Sequence, residues 1–297
     1  MFGGVARAGA ALAACGCLAA CGGGAPPGAE GPGPLVVAAD VGFAPHAMMA
    51  SNGELEGFNI DLAHAIAERL GRPGVEIVDS EWSSIFSGLY AGKFEFVIAP
   101  TTITEGRARR VLLSEGYLDT DPVFLLREDA PELTALEQLE GMRIAVNNGS
   151  AYDLWATANQ EAWGFTTHRY GKNADAVQAV LSGRADANLV GESVAAWVVR
   201  QNPNVRASLR IHAETAFAIA FRNEDAPLRN RIEGILECLK TEGVIAGIHR
   251  EWLGTLPAPG SAAVTAYEGF GPPGLPGFEA TPGREPCPKS AARPAAN

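Results

Sequence analysis

The stretch FEFVIAPTTITEGRARR, residues 94–110, decides the fold. Its first half is an apolar run of strand length, and its second half is a turn crowded with hydroxyls and arginines. A buried strand that exits into Thr101, Thr102 and then Arg107 gathers hydrogen-bond donors and a cation at its carboxyl end, which is a place for an anion. Upstream, LVVAAD (35–40) is another apolar strand. FNIDLAHAIAERLG (58–71) puts Ile60, Ala63, Ile66, Ala67 and Leu70 on one helical face, with Gly71 as the stop. Strand VEIVDS (75–80) and a short helix in SSIFSGLYAG (83–92) complete a βαβαβ unit that ends at 100.

The pattern returns downstream. MRIAVNN (142–148), FTTHRYG (165–171) and ADANLVG (185–191) are strand-like, with helical segments at 151–164, 173–184 and 192–202 between and after them. Two such units predict an α/β chain of two lobes, each a mostly parallel sheet flanked by helices. PVFLLRE (122–128) and FAIAFRNED (217–225) are strands that cross between the units, which makes a hinge of two crossovers. The expected partition is lobe 1 over 35–127 and 216–254, and lobe 2 over 128–215. Ligands bind at the carboxyl ends of strands in open α/β sheets, so a cleft between the lobes is expected there.

The ends have a different composition. Residues 1–20 carry one basic residue, Arg7, and then small and apolar residues too few to span a bilayer comfortably, as an export signal does. LAACGGG (18–24) resembles the lipobox of bacterial lipoproteins and makes Cys21 the candidate lipid anchor. A second match at 12–16 would place the anchor at Cys15, and the alternative is an ordinary signal peptide. Residues 21–34 form a Gly/Pro-rich tether, and 255–297 a Pro/Gly-rich disordered tail. Of the remaining cysteines, Cys238 lies in a helical segment and Cys287 in the tail, so no structural disulfide is expected.

The chain has 297 residues, 47% of them hydrophobic, enough to bury a core. Its formal net charge of −11, without clustered Lys and Arg, excludes nucleic acid as a partner. The five histidines (46, 64, 168, 212 and 249) show no metal-ligand spacing, and no phosphate loop or nucleophile elbow is present. No metal, cofactor or catalytic set is expected.

Taken in order, LVVAADVGFAP, GELEGFNIDLAHAIAERLG, EWSSIFSGLYAGKFEFVIA, TITEGRARRV, LEGMRIAVNNGS, LSGRADANLV and TEGVIAGIHREWLG resemble the bacterial extracellular solute-binding proteins of family 3, the amino-acid receptors of ABC importers. The resemblance covers 35–254. It implies the two-lobe periplasmic binding protein fold of type II and a small amino-acid-like ligand. It also implies delivery to an ABC permease, a monomer, and a periplasmic location with only a lipid anchor in the membrane. By the same resemblance, Thr102 and Arg107 clamp the ligand carboxylate, Phe43 and Trp82 sandwich the ligand, and Asp40 meets a cationic side chain. Pro100 lines the site, and Gly149 and Ser150 add backbone N–H groups from a helix start. The residues alone leave Arg107 open as one of three solvated arginines with Arg109 and Arg110, and Ser150 as an N-cap. Relatives carry an aspartate for the α-ammonium where this chain has Gly191, with Glu192 one residue later. Either Glu192 replaces it, or the ligand lacks an ordinary primary α-ammonium. The rivals are a dehydratase-like lyase using Glu192 as acid or base, and a solute sensor independent of transport.

Overall fold

The computed structural model describes residue 1, residues 33–280 and residue 287. The expected signal peptide beyond its first residue, Cys15, Cys21 and all but the last two residues of the expected tether lie outside the described residues. The elements below belong to one contact unit from residue 32 onward.

In chain order, the first lobe opens with β1 (Leu35–Ala39), the short hairpin β2 (Met48–Met49) and β3 (Leu55–Glu56), and α1 (Phe58–Arg69). β4 (Val75–Asp79), α2 (Trp82–Tyr90), β5 (Phe96–Thr102), α3 (Glu105–Ala108), β6 (Leu112–Leu113) and β7 (Leu118–Asp119) follow. The second lobe runs through β8 (Pro122–Arg127), a 3-10 turn (Leu136–Leu139), β9 (Arg143–Asn147), α4 (Ala151–Asn159), β10 (Thr166–Tyr170), α5 (Asn173–Leu181), β11 (Ala187–Gly191), α6 (Glu192–Gln201) and β12 (Val205–Arg210). The chain then returns to the first lobe with β13 (Ala216–Phe221), α7 (Ala226–Thr241) and α8 (Val244–Leu253). Gly243, at φ 78°, separates the last two helices.

The first sheet has the order β4-β1-β5-β13-β6 with β7 beside β13, and the second β10-β9-β11-β8-β12. Within each sheet the βα-connected strands are parallel, while β13 and β8, the strands that arrive from the other lobe, are antiparallel to β5 and β11. β8 therefore belongs to the second sheet, and the first crossover precedes it instead of lying after 127. The two crossovers run side by side: Thr120 N–H donates to the Thr215 carbonyl at 2.8 Å, and the Thr215 hydroxyl donates to the Thr120 carbonyl.

The expected apolar stripe is the buried face of α1: Phe58, Ile60, Leu62, Ala63, Ile66 and Ala67 pack on Leu35, Val37 and Ile98. Each large aliphatic or aromatic group there contributes about 1.5–3 kcal/mol relative to exposure. Val97, Ala99 and Ile85 form a second layer on the other face of that sheet.

Two expectations about the tail are corrected. Residues 255–280 are not a disordered tail: they fold back over α7, with Ala262 and Ala263 buried and Phe270 paired to Glu279. Gly/Pro composition marks tight turns here, and charge holds them. Arg229, fully buried on α7, donates to the Leu113 and Gly277 carbonyls and to Glu279 at 2.8 Å. Lys240 reaches Glu115 and the Thr265 carbonyl, while Gly271 N–H donates to Glu233 at 2.7 Å. Gly271 adopts φ 86°, and a Cβ there would stand 2.5 Å from the Arg229 guanidinium, so glycine is required. The fold-back also joins Cys238 to Cys287 in a disulfide, with Cα atoms 5.6 Å apart, against the expectation of none.

Candidate functional site

The opening stretch of β5 and α3 becomes one wall of a cavity. Thr104 caps α3, its hydroxyl accepting from Arg107 N–H at 3.2 Å, which turns the chain back so that Arg107 lies beside the end of β5. The guanidinium donates to the Thr102 carbonyl at 2.8 Å and stacks over the Trp82 ring at 5.0 Å. Among the described residues no carboxylate forms an ion pair with it. Desolvation lowers its pKa to about 10, so the cation persists at neutral pH without an anion beside it.

Asp40 follows β1. One of its oxygens accepts from Trp82 N–H at 3.2 Å, and the other is buried with no partner. Burial raises its pKa to about 6, although Lys172 pulls the other way. Lys172 belongs to the second lobe; it donates to the Val41 carbonyl at 2.8 Å and stands 3.5 Å from Asp79.

The cavity has about 390 Å³ of empty space including its open mouth, and it is lined by Asp40, Phe43, Trp82, Ala99, Pro100, Thr102, Arg107 and Phe217 from the first lobe and Asn147, Ser150, Ala151 and Tyr152 from the second. Seven expected site residues thus line one cavity: Asp40, Phe43, Trp82, Pro100, Thr102 and Arg107 on one wall and Ser150 on the other. Phe43 stacks on His46 with ring centroids 5.5 Å apart, and its other neighbours belong to an apolar cluster of the second lobe.

Three expected residues, Gly149, Gly191 and Glu192, are not part of that lining. Gly149 uses its N–H on Asp153 at 2.9 Å and its carbonyl on the Trp82 indole at 3.1 Å, so its donor is committed within the protein. Ser150 lines the cavity, but its hydroxyl accepts from Asp153 N–H and its own N–H donates to the Asn147 carbonyl; it acts as the N-cap. The open donors of that turn belong instead to Ala151 and Tyr152, the first two residues of α4, whose N–H groups have no acceptor within the helix. Glu192 points away, with 44% of its side chain exposed and a 2.7 Å ion pair to Arg210. At Gly191 a Cβ would lie 2.4 Å from the Tyr152 hydroxyl and 2.7 Å from the Thr120 hydroxyl.

Tyr152 was not singled out from the sequence. Its hydroxyl is 3.1 Å from that of Thr120, and burial raises its pKa to about 12. Its placement two residues after a Ser N-cap is the signal that could have found it. His46 was missed as well: fully buried, it hydrogen-bonds Asn59 at 2.9 Å and Ser193 of the second lobe at 2.8 Å. Burial lowers its pKa to about 4, so it bridges the lobes as the neutral imidazole.

Comparison with known proteins places this geometry. The sequence profile of the bacterial extracellular solute-binding proteins, family 3, matches residues 35–255. The arginine-binding extracellular protein ArtP of Bacillus subtilis (strain 168) is 25% identical over 199 residues, 66% of this chain and 77% of its own length. Among solved structures, an ancestral arginine-binding protein bound to arginine is 31% identical and superposes with a TM-score of 0.71 over 75% of this chain and 99% of its own. An ancestral amino acid-binding protein, a precursor of cyclohexadienyl dehydratase, is 29% identical with a TM-score of 0.69 over 74% of this chain and 95% of its own. The chain belongs to the family 3 extracellular solute-binding proteins, and its fold is that of the type II periplasmic binding proteins.

Proposed function

We propose that this chain is the solute receptor of an ABC importer, that it closes its two lobes on a small amino-acid-like solute, and that a lipid on Cys21 holds it at the periplasmic face of a bacterial membrane. The observation that carries this is the pair of uncompensated groups in one cavity: the Arg107 guanidinium with no carboxylate, and Asp40 with a buried oxygen lacking a donor. Polar groups desolvated without partners cost free energy, and a ligand that supplies a carboxylate to one and an N–H to the other offsets that cost.

The ligand carboxylate would lie against Arg107 and the Thr102 hydroxyl on one side and the N–H groups opening α4 on the other. A guanidinium fork matches it bidentately, and a helix N-terminus favours an anion. Trp82 and Phe43 give its carbon chain two aromatic faces. Because the donors come from both lobes, only the closed arrangement makes all the contacts, and that differential affinity drives closure. The names of the arginine-binding relatives support an amino-acid-like ligand. Glu192, on which a lyase would rest, is turned to Arg210, which favours binding over turnover.

The test is a thermal-shift screen of amino acids, betaines and cyclic imino acids. A true ligand at a hundred times its dissociation constant adds about 2.7 kcal/mol of stability. A screen in which no such compound raises Tm overturns the solute-binding role. Intact-mass analysis of the membrane-extracted protein tests the anchor separately: more than one acyl chain on Cys21 is expected, since one anchors weakly.

A further inference from the structure

The two charged groups of the cavity, Asp40 and Arg107, are not paired with each other among the described residues. The charged groups acting on Asp40 are Lys172, Asp79 and Glu81. The other polar groups of the lining are hydroxyls and an amide, Thr102, Ser150, Tyr152 and Asn147, and among the described residues Asp40 is the one carboxylate in it.

Tyr152 closes off the alternative. Its ring lies in the first turn of α4 and its hydroxyl meets Thr120 at 3.1 Å, while Thr102 and Arg107 act on the same oxygen. The hydroxyl fills the space directly above the Cα of Gly191, since any side chain there would start 2.4 Å from it. Position 191 has an ordinary extended backbone, φ −69° and ψ 149°, so space and not conformation excludes a side chain. A primary ammonium one carbon away from a carboxylate held by Arg107 would sit among hydroxyls, near a guanidinium, with no anion to neutralise it. The buried oxygen of Asp40 needs a donor with hydrogens to give, which a quaternary ammonium does not have.

We propose that Tyr152, seated over Gly191, is a specificity-determining residue that disfavours a primary α-ammonium, so that the cavity selects a carboxylate whose cation lies at the far end of its chain, on Asp40: an ω-amino or ω-guanidino carboxylic acid. This rests on the solute-binding role proposed above and narrows it.

Two matched pairs test it by calorimetry on the full chain: arginine against 5-guanidinopentanoate, and lysine against 6-aminohexanoate, each pair differing only in the α-ammonium. The des-amino member is expected to bind at least about ten-fold tighter in at least one pair. The triple variant Tyr152→Phe, Thr120→Ala and Gly191→Asp, which clears both hydroxyls that stand within 2.7 Å of a Cβ at 191 and supplies a carboxylate, is expected to reverse that order. Failure of the des-amino member to bind tighter in either pair overturns the inference and leaves the receptor role standing. Binding of none of the four overturns it too, and the thermal-shift screen then decides the receptor role independently. The wild-type comparison needs no variant to fold.

Discussion

Two of the places where this molecule buries charge are built on opposite terms. Under the tail, Arg229 is met by Glu279 and two carbonyls, and Lys240 by Glu115 and two carbonyls, so the cations are matched within the chain. In the cavity, Arg107 has one carbonyl and an aromatic face, and Asp40 has an oxygen with nothing to accept from. Matched buried charge fixes structure, whereas unmatched buried charge stands ready for something from outside.

The contrast predicts effects of different sign and size. The largest is at Arg229: Arg229→Ala strands Glu279 and two carbonyls and should lower unfolding stability by about 3–5 kcal/mol, read in urea or guanidinium titrations. An unchanged midpoint would mean that the tail is not held by this cation. Next, Cys238→Ser opens a loop of sequence separation 49 and should cost about 2–4 kcal/mol, seen equally in the wild type under reductant.

Glu233 contributes a pH dependence. Burial and the neighbouring Glu115 raise its pKa to about 8, against the opposing pull of Gly271 N–H and Arg229. A carboxyl whose folded pKa exceeds its unfolded one holds a proton that the unfolded chain has released. Its contribution is complete below the ordinary Glu range and is lost as pH rises through about 8. Tm should fall as pH rises from the ordinary Glu range to about 8 and level off above it, and Glu233→Gln should flatten that slope; Lys240, Glu115 and Glu237 face the same pocket and stay in place. The smallest effect concerns Asp40, raised to about 6 in the free protein. Only its ionised form pairs with a cation, so affinity for a cationic ligand should drop by about ten-fold per pH unit below that value, and Asp40→Asn should remove the dependence. A flat profile in the wild type would place the cation elsewhere.

The sequence disclosed one wall of the cavity better than the other. β5 and its threonine-arginine exit were readable because a continuous apolar run ends abruptly in polar residues, and the helical stripe of α1 was readable for its period. Asp40, Phe43 and Trp82 were implied by the family resemblance and not by the residues alone. The second wall was hidden, since whether Gly149, Ser150, Ala151 or Tyr152 offers a donor depends on which N–H groups Asp153 and Asn147 have already taken. Glu192 was adjacent in sequence to the expected position, but the turn into α6 carries it outward to Arg210. The tail was misjudged because glycine and proline mark both loose linkers and tight turns, and the buried partners that distinguish them, Arg229 and Lys240, lie on a distant helix.

The most direct test compares Arg107→Ala with the wild type by calorimetry, using the strongest ligand of the thermal-shift screen, and sets it beside the apo Tm of each. Removing an unmatched cation should cost about 2–5 kcal/mol of binding while the apo Tm holds or rises. Unaltered affinity, or a loss of apo stability as large as that of Arg229→Ala, would contradict the assignment of this cavity as the place where the ligand carboxylate is held.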